Sequence, residues 1–168
     1  MYYASHFYLR NSKNEWEEVT EIEIPSTITS IGDYQFDSFE NVKNITIPSN
    51  VTSIGNHAFS YCRSLTNVTF EKESNLTSIG DYTFSYCNSL TNITIPSGVT
   101  SIGRSAFEGC TSLTNITIPS SVTSIGRAAF YNCTSLTIYC EAVSQPSGWD
   151  SNWNPYNCPV VWDISNKN

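Results

Sequence analysis

The chain has 168 residues and 18.7 kDa, enough for one domain that buries roughly 70% of its unfolded surface, so it needs no staples to fold. Charged residues make up only 14%, while Ser, Thr and Asn fill 60 positions and Leu, Ile, Val and Phe 39, so the core is thin and solubility rests on hydroxyls and amides. A net charge of −7 with eight singly scattered Lys and Arg lacks the basic footprint that phosphate backbones or anionic lipid heads require, which excludes nucleic acid as an expected partner.

The first residues, Met1 to His6, have neither the basic nor the apolar region of a signal peptide, and the apolar runs are far shorter than the ~20 residues of a membrane span. The expectation is no direct membrane insertion. The missing signal does not decide localisation, since the chain is read as either cytosolic or an excised piece. Residues 5–10 and 15–19 flank the polar stretch 11–14 and predict a hairpin, placed in an N-terminal cap over 1–18.

From residue 19 a repeat dominates. Thr-Ser-Ile-Gly recurs at 29–32, 52–55, 77–80, 100–103 and 123–126, in steps of 23, 25, 23 and 23 residues. The units are 19–41, 42–64, 65–89, 90–112 and 113–135, with a truncated sixth opening at Leu136, so the repeat region is taken as 19–137. In the fourth unit, Ile93-Thr94-Ile95 alternates as a short strand that Pro96 ends, because proline cannot donate to a ladder. Val99 to Ile102 reads as a second extended segment, Gly103 as a positive-φ corner, and 104–110 as one helical or 3₁₀ turn carrying the chain back. One unit is then one coil of a solenoid. A coil cannot bury its own apolar edge, and five stacked at ~4.8 Å make a body about 25 Å long with nearest-neighbour stability. Residues 138–168 leave the repeat and bring Trp149, Trp153 and Trp162, which predict a C-terminal cap over the last coil.

The unit running from Leu113 to Cys133 resembles the BspA-like, or treponemal-type, leucine-rich repeat, whose hallmark is L-x-x-I-x-I/L-P-x-x-V/L-x-x-I-G-x-x-A-F-x-x-C. The match covers about 19–140. Departures are Phe39 in place of Cys, Gln35 and Thr83 in place of Ala, and Phe70 to Glu73 where Ile-Pro-Ser is expected. The resemblance implies a leucine-rich-repeat solenoid with a concave parallel sheet. It also implies a family found largely on bacterial and some protist surfaces, where members act in adhesion, and so an extracellular or cell-surface location. It implies no catalytic residues and no cofactor.

The residues themselves offer few chemical sites. Cys62, Cys87, Cys110 and Cys133 fall one per unit with no C-x-x-C pair, which reads as a buried thiol ladder rather than a metal site. Cys140 and Cys158 fall outside that ladder, and a disulfide between them stays open. His6 and His57 have no nucleophile signature beside them and read as surface histidines, and Glu17, Glu18, Glu21 and Glu23 as a solvated acidic strand. Seven Asn-x-Ser/Thr triplets are mostly copies of one repeat position, so duplication explains them as well as glycosylation does.

Two surfaces are the candidates for binding a protein or glycan. Residues flanking an inward Ile point outward, so Glu21 and Glu23 followed by Asn44, Thr46, Asn67, Thr69, Asn92, Thr94, Asn115 and Thr117 should line the concave sheet. Tyr34, His57 and Tyr82 share one repeat column, and Tyr61 and Tyr86 a neighbouring one, which predicts an aromatic stripe on the first three coils. Residues 1–40 hold eight acids and two bases, whereas Arg63, Arg104 and Arg127 lie later, so charge is polarised end to end. The alternative to a binding module is a structural spacer, which the near-identity of units four and five favours.

Overall fold

The computed structural model describes residues 8–10, 13 and 16–166. Strands β1 (Tyr8–Arg10) and β2 (Trp16–Glu18) pair antiparallel as the expected hairpin, while His6 lies outside the described residues. Coils two to five then contribute two strands each, and coil one only the shorter. The shorter ones are β3 (Ser30–Ile31), β5 (Ser53–Ile54), β7 (Ser78–Ile79), β9 (Ser101–Ile102) and β11 (Ser124–Ile125), which form one five-stranded parallel sheet in coil order. The longer ones are β4 (Asn44–Ile47), β6 (Asn67–Phe70), β8 (Asn92–Thr94), β10 (Asn115–Ile118) and β12 (Thr137–Cys140), joined by β13 (Val160–Val161) in a six-stranded parallel sheet. Registry is exact to the repeat: Asn44 pairs with Asn67, Asn67 with Asn92 and Asn92 with Asn115.

Every coil places the same residues inward, so the core is a set of ladders. Phe36, Phe59, Phe84, Phe107 and Phe130 stack ring on ring at 5.3–5.6 Å, and the Trp153 ring closes the column edge-on at 5.9 Å. Beside it the thiols of Cys62, Cys87, Cys110 and Cys133 each donate to the Phe carbonyl of the preceding coil, at 3.0–3.2 Å. All six cysteines are buried free thiols. Cys158 is not outside this ladder: its thiol lies over Cys133 and reaches the Cys133 carbonyl at 3.5 Å. Thr83, in the Ala column, is fully buried and donates to the carbonyls of Gly55 and Gly80.

The returning segment is not a helical turn. Its donors alternate, as in the second unit, where Ala58, Ser60 and Cys62 bond three residues back while His57, Phe59 and Tyr61 donate to the next coil. Two residues per coil take positive φ to allow this, in the columns of Tyr34, His57, Tyr82, Ser105 and Ala128 and of Ser38, Tyr61, Tyr86, Gly109 and Asn132. A positive φ at the third position is what a type II turn needs. The strain of non-glycine residues there is held by the inter-coil bonds. A helix would spend every N–H within the coil; alternation makes this third face a ladder as well.

The corner glycine has a different reason from the one the sequence suggests. Gly103 has no positive φ; a Cβ there would stand 2.5 Å from the backbone of Asp81 and Gly80 in the preceding coil. Coils stack too closely at this corner for any side chain.

Residues 138–166 leave the repeat in sequence but keep its path. Trp149 bridges in parallel to Ile125 and donates its indole N–H to Val122, Ala128 donates to Asn152, and β13 extends the long-strand sheet. Buried Trp149 and Trp153 pack edge to face at 4.8 Å over the last coil, with Trp162 against Trp149. At the other end Glu21–Ile24 is not a strand, although Ile24 is buried and Ile22 half-buried. Carboxylates stand there in place of the Asn and Thr of later coils, and charge at a sheet edge disfavours pairing.

Candidate functional site: a tyrosine ridge and a polar sheet face

The aromatic residues of the positive-φ columns lie on the outside of the returning face, and their rings stack along the solenoid axis. Tyr34, His57 and Tyr82 form a continuous parallel stack with centroids 4.6 and 4.7 Å apart, and Tyr61 and Tyr86 stack at 5.0 Å. The expected stripe therefore exists as two rows. Tyr34 is 59% exposed and Tyr61 39%, whereas His57, Tyr82 and Tyr86 are half-buried by their neighbours.

The second row reaches the fourth coil through Tyr86. Tyr86 lies over Gly109, where an added Cβ would meet its ring at 2.8 Å, and its hydroxyl donates to Glu108 at 3.2 Å. The Glu108 carboxylate raises the Tyr86 phenol above its usual value, with a smaller contribution from Tyr131. Tyr131, 43% exposed, then packs edge-on against Tyr156 at 5.1 Å. Sequence reading missed these two because Tyr131 sits one column away from Tyr86 and Tyr156 lies beyond the repeat; the Glu108-to-Tyr131 change between units four and five was the available signal.

His57 sits in the middle of the first row. Its ring is held between two tyrosines, its Nδ1 is 3.2 Å from Ser60 Oγ, and that buried hydroxyl donates to the Tyr82 carbonyl. Among the described residues no group of three His, Cys, Asp or Glu is placed to hold a metal ion, and no helix is long and apolar enough to cross a membrane.

On the long-strand sheet Asn44, Thr46, Asn67, Thr69, Asn92, Thr94 and Asn115 are exposed and Thr117 half-exposed, all on the face opposite the buried Ile positions. Asn67 donates to Asn44 Oδ1 at 3.0 Å. The two-residue insertion of unit three brings Glu71 and Glu73 beside this face, around a depression of about 440 Å³ that reaches Asn92 and Thr94. A second, of about 450 Å³, lies between Glu21–Ile24 and β4. The surface thus offers amides and hydroxyls along its length and carboxylates toward its N-terminal end.

The family model described as BspA type leucine rich repeat region matches residues 10–137 in six copies. Among solved structures, the leucine-rich repeat protein of T. pallidum is 26% identical with a TM-score of 0.69, over 82% of this chain and 70% of that one. A leucine-rich repeat protein from Eubacterium ventriosum is 32% identical with a TM-score of 0.63, over 80% of this chain and 32% of that one. The pneumococcal vaccine antigen PcpA shares the fold at 24% identity and a TM-score of 0.57, over 77% of this chain and 42% of its own. No curated protein matches the chain.

Proposed function

The chain belongs to the BspA-type leucine-rich repeat family, and from that premise we propose that it is a non-enzymatic binding module that recognises a protein partner at a bacterial cell surface. The observation that carries this reading is the ridge: Tyr34, Tyr61, Tyr131 and Tyr156 are the most exposed aromatic side chains described, and all lie on or beside the returning face. Tyrosine brings contact area and a hydroxyl at little entropic cost, which is why it is enriched where partners dock. His57 and Tyr86 have their ring faces covered, so the rows present mainly ring edges and hydroxyls. Such a surface suits a protein's mixed polar and apolar groups better than a glycan that must lie on an open ring face. The polar sheet face is the secondary contact surface, and adhesion is the role that follows. The cell-surface location rests on the family resemblance.

The test is saturable binding of the folded chain to immobilised matrix proteins, glycans and epithelial cells. A spacer role is favoured instead by the end of the first row, where Ser105 and Ala128 follow Tyr82. A well-folded chain that binds none of these would support that second reading.

A further inference from the structure

The long-strand sheet ends on its N-terminal side at β4. On its other side Asn67 N–H bonds the Lys43 carbonyl at 3.2 Å and Glu71 N–H the Ile47 carbonyl at 3.0 Å. A parallel ladder sends alternate residues to opposite neighbours, so the N–H and C=O groups of Asn44 and Thr46 face the open edge. Among the described residues none bonds them: coil one pairs with coil two at Thr29, Ile31 and the returning turns, but not along Glu21–Ile24. The gap between that segment and β4 is the depression of about 450 Å³, and the charged residues lining it are Glu21, Glu23 and Glu71, with no base among them. Ser49 N–H holds one Glu71 oxygen at 2.9 Å, which fixes that carboxylate in place.

We propose that this edge accepts an extended, basic segment of a partner protein as an added strand. Its backbone would pair with Asn44 and Thr46, and Lys or Arg at alternate positions would meet the three carboxylates. Main-chain pairing supplies the affinity in such an addition and the alternating side chains supply the selectivity. The site differs from the tyrosine ridge in its chemistry and its place, so the two stand or fall separately.

The experiment titrates a short capped peptide of alternating lysine and valine into the full chain, with a glutamate–valine peptide as control, and follows amide hydrogen exchange. The amides of Asn44 and Thr46 should exchange freely in the unbound chain and become protected, saturably, with the lysine peptide alone. Reversing charge with Glu21→Lys and Glu23→Lys should weaken binding by about tenfold or more. Thr46→Pro, which removes an edge donor, should abolish it, and Tyr34→Ser with Tyr61→Ser should leave it unchanged. Should the Thr46→Pro chain fail to fold, the charge-reversal pair and the exchange data carry the test. Amides already protected in the free chain would overturn the proposal by showing the edge closed by the chain itself. Protection that grows with chain concentration would do so by assigning the edge to a second copy, and equal binding of both peptides would do so by removing the charge argument.

Discussion

The Cys110 thiol donates a hydrogen bond to the backbone carbonyl of Phe84, 3.2 Å away in the preceding coil. The same bond recurs from Cys87 to Phe59 and from Cys133 to Phe107, so the thiols are part of what holds successive coils together. A methyl group in the same slot would fill it and leave the carbonyl without that donor.

Burial pushes these thiols up, to about 12 for Cys62, Cys133 and Cys140, and well above the usual range for Cys87 and Cys110. An unfolded thiol ionises near ~8.5. Above that pH the unfolded chain releases protons that the folded chain keeps, so the stabilisation is complete below ~8.5 and is lost as pH rises toward about 12. Urea midpoints should fall steadily over that window. A thiol reagent should modify the native chain slowly at pH ~8 and rapidly once urea unfolds it; immediate reaction of all the cysteines in the native chain would refute the ladder.

Phe107 is fully buried between Phe84 at 5.5 Å and Phe130 at 5.6 Å. Replacing it with alanine leaves a cavity in mid-column and should cost about 3–5 kcal/mol by chemical denaturation. Unchanged stability would contradict the stacked column.

The corner glycines and the loop glycines should respond differently. At Gly103 a methyl group meets backbone of the preceding coil at 2.5 Å, so Gly103→Ala should destabilise by about 1–3 kcal/mol, as overpacking does. At Gly98 the nearest atom is the Leu76 carbonyl at 3.3 Å, and unit five carries Ser121 at that place, so Gly98→Ala should stay within about 0.5 kcal/mol. Equal effects at both sites would show that stacking does not select glycine.

Glu108 raises the Tyr86 phenol through charge and through the hydrogen bond between them. Glu108→Gln should therefore lower the pH at which Tyr86 forms phenolate, read by absorbance against a Tyr86→Phe chain. No shift would separate the two side chains in solution.

The repeat made most of this fold legible, because identical residues at a fixed period leave one way to stack them. Ile93 and Ile95, Phe107 and Cys110 all point inward as their spacing predicts. What escaped depends on contacts between coils rather than within one. The backbone preference of glycine suggests a positive-φ corner at Gly103, while the cause is the Asp81 backbone a coil away. The apolar spacing of 104–110 fits a helical or 3₁₀ turn equally well, because alternation between local and inter-coil bonds leaves no mark on it. Residues 21–24 carry the alternation of a strand, yet their carboxylates stand at an end of the stack where, among the described residues, no backbone bond to β4 forms. At the site, Tyr34, His57 and Tyr82 share one column and are legible from it, whereas Tyr131 and Tyr156 meet edge-on across the last coil and the cap, a contact that column counting does not register.

One comparison tests most directly the proposed role of the tyrosine ridge as a partner-binding surface. Wild-type chain and a chain carrying Tyr34→Ser, Tyr61→Ser and Tyr131→Ser are measured side by side for binding to immobilised matrix proteins and epithelial cells, with unfolding midpoints for both. All three side chains are exposed, so the variant should keep its midpoint to within a few degrees while saturable binding is lost. Equal binding by the two folded chains, or none by either, would contradict the ridge as the contact surface.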